Sequence, residues 1–144
     1  MARTQTESLL VAIAEARTAF LATLAAVDRG WDHAPAEDAW SPRVIARHVV
    51  ENDFFFAAQV ASVLDRPAPE EATVTFDSAG AAVDALHAAR AATSSVFDVV
   101  RDEDLGRPWQ HGMSLADLLA FYAEHTREHV EQLRAARAPM TLAS

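Results

Sequence analysis

Apolar residues recur along this chain at steps of three and four, the period of a helix that buries one face. Leu9, Ile13, Ala16, Phe20, Leu24 and Val27 form one such stripe, which predicts a first helix from about Glu7 to Val27, ended by Arg29-Gly30 with the glycine as C-terminal cap. Trp31 to Ala39 then reads as a loop, bracketed by Trp31 and Trp40 as plugs for the end of a core. Ser41 is a good N-cap, and Pro42 suits the first helical position, where its missing N–H costs nothing. A second helix is therefore expected from Pro42 to about Leu64, with an inward row of Ile45, His48, Asn52, Phe55 or Phe56, Gln59 and Val63. After a loop through Pro67 to Thr75, Asp77 or Ser78 caps a third helix from about Ala79 to Arg101. Its stripe is Ala82, Leu86, Ala89, Thr93, Val96/Phe97 and Val100. A second long loop, Asp102 to Gly112, leads to a fourth helix opening at Ser114, with Asp117 completing a relative of the capping box. That helix carries Leu115, Leu118, Tyr122, His125, His129 and Leu133 on one face, and the tail after Arg137 is expected to fray around Pro139.

No stretch alternates with period two beyond Thr73 to Phe76, which is too short to build a sheet. Four amphipathic helices make an all-α protein, an antiparallel four-helix bundle forming a single domain over residues 1–144. The two long loops leave room for a departure from simple neighbour-to-neighbour order.

Composition narrows the function. Twelve basic residues against 21 acidic ones give a net charge of −9, which argues against nucleic-acid binding, where basic patches carry most of the affinity. There is no cysteine, so disulfides, thiolate zinc sites and a cysteine nucleophile are excluded. The partly apolar N-terminus is interrupted by Arg3, Glu7, Glu15 and Arg17, so neither a signal-peptide core nor a membrane span is expected. The expectation is a soluble cytoplasmic protein without membrane or nucleic-acid partners.

The chemistry concentrates in histidines on inward faces. His125 and His129 stand four residues apart, which places their rings about 40° apart around a helix and about 6 Å apart along it. Two imidazoles at that spacing can share a metal ion. His48, on the inward row of the second helix, is the expected third ligand, since bundles build metal sites from side chains on facing helices. Three neutral nitrogens leave a position open for water or substrate and suit Zn, Ni, Fe and Cu alike. The plainer reading of any single histidine is a core or surface residue with a hydrogen bond. His33, His87 and His111, in loops or off the main stripes, are read that way.

Trp40-Ser41-Pro42 opening a helix, then His48, then a final helix with H-x-x-x-H resembles the DinB/YfiT-like superfamily. The resemblance covers nearly the whole chain, with Trp31 and Gly112 in fitting loop positions. It implies a four-helix bundle, a divalent metal (Zn, Ni or Fe) held by three histidines, and often a homodimer. It also implies a small-molecule substrate and a metal-dependent activity, either hydrolase or S-transfer with a low-molecular-weight thiol such as bacillithiol or mycothiol. Many members follow the second helix-4 histidine with Gly-Gln, whereas this chain has Val130-Glu131-Gln132.

Other readings compete. His125-Thr126-Arg127-Glu128-His129 also matches H-x-x-E-H, with Glu128 as a general base, but no further carboxylate ligand follows beyond Glu131. Asn52 is a candidate to touch a metal-bound group or orient a ligand, and Glu51 is expected to pair with Arg47 or solvent. Tyr122, one turn before His125, could bond a substrate through its hydroxyl, or simply pack. Phe54-Phe55-Phe56 must expose at least one ring, which could form a dimer contact. Against the enzyme stands a non-catalytic, stress-related binding bundle with the metal structural or absent. An open ligand position beside a pocket favours the first, and a dry, filled core the second.

Overall fold

A computed structural model describes residues 3–27, 30–71 and 76–142, with side chains described to 136. Four helices form: α1 (Gln5–Ala25), α2 (Pro42–Val63), α3 (Ala79–Asp98) and α4 (Leu115–Leu142), with a 3-10 turn at Asp102–Asp104. Among the described residues there is no strand, only an isolated bridge between Pro108 and Ser114.

The start signals act as read. Ser41 accepts from the Val44 N–H at 3.3 Å and Ser78 from the Ala81 N–H at 3.1 Å. Ser114 and Asp117 cap each other reciprocally, at 2.8 Å and 3.3 Å. The ends shift. α1 closes at Ala25 with Ala26 as its cap, so Gly30, at φ 72°, turns the following loop instead of ending the helix. Arg29 and the run from Thr73 to Thr75 lie outside the described residues. α4 continues through Pro139 to Leu142, past the expected end near Arg137; a proline this close to a terminus removes one ladder bond from an already formed helix.

Two apolar clusters fix the direction of each helix. One joins Phe20 and Leu24 of α1, Ile45 and Val49 of α2, Leu86 of α3 and Leu133 of α4. The other joins Ile13, Val60, Val96, Phe97, Leu115 and Leu118 at the opposite end. The first thus holds the end of α1, the start of α2, the start of α3 and the end of α4. α1 and α4 therefore run parallel, as do α2 and α3, and the two pairs are antiparallel to each other. α1 packs on α4 and α3, and α2 packs on α3 and α4. The chain does depart from simple neighbour order, because α3 begins at the same end of the bundle as α2.

The buried arc of α2 is wider than the expected row. It takes in Val49, Val50, Asp53, Phe54, Phe56, Ala57, Val60 and Ala61, because α2 faces two neighbours. His48, Asn52 and Gln59 sit half-buried at its edge, Phe56 is inside and Phe55 outside. Trp31 packs on Phe76 at the core's end with ring centroids 6.0 Å apart, whereas Trp40 is exposed and does not plug the core. α1 is the described helix that is long and apolar enough to cross a membrane by length and composition. In the bundle it buries Ile13, Ala16, Phe20 and Leu24 against its neighbours.

Candidate metal centre

The cap at Ser41 sets where α2 begins, and the box at Ser114 sets where α4 begins. Because these two helices pack antiparallel, the first third of α2 meets the middle of α4. His48 is thereby brought to His125 and His129, and one ligand nitrogen from each lies within 4.8 Å of the others. The Nε2 atoms of His125 and His129 are 3.1 Å apart. The His48 ring centroid lies 4.8 Å from that of His129 and 6.1 Å from that of His125.

These donors fit a divalent ion. At metal–nitrogen distances of about 2.0–2.1 Å, nitrogens 3.1 Å apart subtend about 100° at a shared ion, within the range of tetrahedral and octahedral sites. The three donors as a set lie within 4.8 Å of one another, somewhat wider than the roughly 4 Å that two nitrogens on one ion can span. His129 is buried, and its Nδ1 lies 2.8 Å from the Gln132 Oε1, which accepts the Nδ1–H. That bond leaves the Nε2 lone pair turned toward His125, as a ligand requires. Burial holds the His48 imidazole below its ordinary pKa, with His129 adding to the effect and Glu51 opposing it. Burial and then His129 lower His125 in the same way, against Glu128. Both rings therefore favour the neutral, metal-binding form.

Aromatic side chains wall the site. The edge of Trp40 meets His48 at 4.9 Å between centroids, and Phe121 stacks over His125 at 5.6 Å. Asn52 Nδ2 approaches His129 Nε2 to 3.5 Å, so Asn52 does stand at the centre. A cleft of about 480 Å³ opens beside it between α2 and the segment that follows α2, with His48 and Asn52 in its wall and Phe54, Phe55 and Pro69 around it.

Tyr122 is elsewhere. It is 1% exposed, stacks on Phe56 and Phe97, and donates its hydroxyl to the buried Asp53 carboxylate. Glu128 lies 3.8 Å from His125 Nδ1, on the outward side of the ring and away from the shared nitrogens, which removes the geometric basis for the H-x-x-E-H reading. Glu51 pairs with Arg47 at 3.0 Å, and His33, His87 and His111 are exposed, all as expected. Sequence reasoning missed Gln132, although its position three residues after His129 on one helix was the available signal. It also missed Asp53, whose partners Arg17 and Tyr122 lie 36 and 69 residues away. Burial pushes the Asp53 carboxyl above its ordinary pKa, against the pull of Arg17 and Tyr122.

A model of the DinB superfamily matches residues 12–133 of the chain. Among solved structures, the chain is similar to a conserved protein of Enterococcus faecalis, with 17% identity and a TM-score of 0.67 over 96% of this chain and 98% of that one. At that identity the likeness speaks for the fold. No curated protein matches the chain.

Proposed function

The chain belongs to the DinB superfamily, and from that premise we propose that it is a metal-dependent enzyme acting on a small molecule. The reaction is either hydrolysis or S-transfer using a small thiol of the bacillithiol or mycothiol type. One observation carries this reading: three imidazole donors converge within 4.8 Å of one another, and one of them, His48, lines a cleft of about 480 Å³. His48, His125 and His129 would hold a divalent ion (Zn, Ni or Fe). When bound, such an ion supplies Lewis acidity that lowers the pKa of a water or thiol beside it. The chain's own residues prepare the place. Gln132 fixes the His129 tautomer, Phe121 and Trp40 restrict two of the rings, and the Asn52 carboxamide faces both His129 and the cleft. With no cysteine in the chain, any thiolate comes with the substrates. The non-catalytic bundle is the weaker reading, because the cluster has three ligands among the described residues and adjoins open space instead of a filled core.

The test uses protein purified without a histidine tag, assayed as metal-loaded wild type, as stripped wild type and as His125→Ala. Esters and amides probe hydrolysis, and an alkylating electrophile with bacillithiol or mycothiol probes transfer. Turnover is expected in the loaded wild type alone. Activity that survives both metal removal and the substitution would refute the mechanism, and inactivity across the panel would put the binding bundle ahead.

A further inference from the structure

We propose that the cleft between α2 and the segment that follows it is the substrate subsite, and that it selects a compact apolar molecule bearing a positive charge over one bearing a carboxylate or phosphate. The inference rests on the reading of the three histidines as the reaction centre, and adds to it the class of molecule that reaches them.

Size and lining come first. A volume of about 480 Å³ lies within the range of small-molecule sites, about 300–1,000 Å³. Phe54, 5% exposed, forms a floor, and Phe55, 54% exposed, stands at the opening with its ring T-shaped against Phe56 at 5.5 Å. Pro69 and Ala58 add carbon at the sides, and most of the rest of the lining is polar. His48 and Asn52 mark the end where a reacting group would stop.

Charge decides the rest. Among the described residues, the cleft is lined by two carboxylates, Glu51 and Glu71, and by no arginine. The chain has no lysine to supply a cation, and its net charge is −9. Glu51 shares its charge with Arg47, an exposed pair that contributes little and yields readily. Glu71 has no ion pair among the described residues and is the main acceptor. An ammonium group at the opening meets Glu71 and the face of Phe55, the latter through cation–π attraction. An anion there meets two like charges. The hollow at the other end of the bundle, about 400 Å³, instead mixes Arg66, Arg101 and Arg107 with three acids and contains no histidine.

The experiment measures binding of three matched probes, 2-phenylethylamine, 2-phenylethanol and 3-phenylpropanoate, to the full chain. It uses stripped protein, where the carboxylate gains nothing from a metal, and repeats the amine and alcohol on metal-loaded protein. The amine is expected to bind about tenfold or more tighter than the carboxylate, with the alcohol between, as one or two near-surface charges dictate. Glu71→Gln should bring amine and alcohol within about twofold, Phe55→Ala should weaken all three, and Glu103→Gln in the other hollow should change nothing. Equal or tighter binding of the carboxylate would overturn the proposal. So would an amine preference that survives Glu51→Gln and Glu71→Gln together, or the absence of binding by all three probes. None of these readouts needs turnover, so failure here is distinct from failure of the metal-enzyme reading.

Discussion

Replacing Tyr122 with phenylalanine separates packing from chemistry at the centre of the bundle. The ring stays, and with it the stacks on Phe56 at 4.6 Å and Phe97 at 5.7 Å. The loss is one hydroxyl that donates to Asp53, a carboxylate 1% exposed whose other partner is the Arg17 guanidinium at 3.4 Å. Losing a hydrogen bond to a buried ionisable group costs about 1.5–3 kcal/mol. At the entropy of unfolding of a chain this long, 1 kcal/mol corresponds to about 3 °C, so the melting temperature should fall by about 5–9 °C. Urea unfolding gives the free energy and scanning calorimetry the temperature. Metal affinity should stay within about twofold of wild type, since the hydroxyl points at Asp53 and away from the histidines. A stability loss under about 0.5 kcal/mol would mean that the bond to Asp53 contributes nothing. A sharp fall in metal affinity would restore Tyr122 to the site and refute the geometry.

Gln132→Leu should lower metal affinity about 10–100-fold, because His129 loses the acceptor that sets its tautomer; an unchanged constant by competition titration would show that the bond is dispensable. Asp53→Asn tests the buried carboxyl. Its folded pKa is raised, so its contribution is fully present below the ordinary value of 3.8 and is lost as pH rises through the folded value. Wild type should therefore gain on Asp53→Asn as pH is lowered in paired urea titrations, and a wild-type advantage that grows with rising pH would contradict this. Leu118→Ala, at a position 0% exposed, should cost about 2–5 kcal/mol, whereas His87→Ala on the surface should change neither stability nor metal binding measurably.

What the sequence made legible was local. Ser41-Pro42, Ser78 and the Ser114–Asp117 box are signals within one turn, and each starts a helix where it was read. The His125–His129 spacing is likewise a property of a single helix, and the inward row of α2 was enough to bring in His48. What was not legible depended on distant segments. The parallel pairing of α1 with α4 and of α2 with α3 rests on which ends share an apolar cluster, and that is not a property of any one helix. Phe55 and Phe56 exchange roles by a rotation of 100° about α2, and only contact with both α3 and α4 decides between them. Asp53 drew no reading from the sequence, because its compensating partners Arg17 and Tyr122 are far off in the chain. Helical phase left Tyr122 open to either a substrate contact or packing, and the Asp53 carboxylate that takes its hydroxyl lies 69 residues away in the chain.

The central claim is that three histidines from two helices hold one ion, and X-ray absorption spectroscopy on protein purified without a tag tests it most directly. The account predicts one divalent ion per chain, with three imidazole nitrogens at about 2.0–2.1 Å and at least one further light-atom ligand not supplied by these histidines. In His48→Ala the imidazole count should fall to two and occupancy should drop. Protein that holds no added ion, or a His48→Ala spectrum identical to wild type at full occupancy, would contradict it.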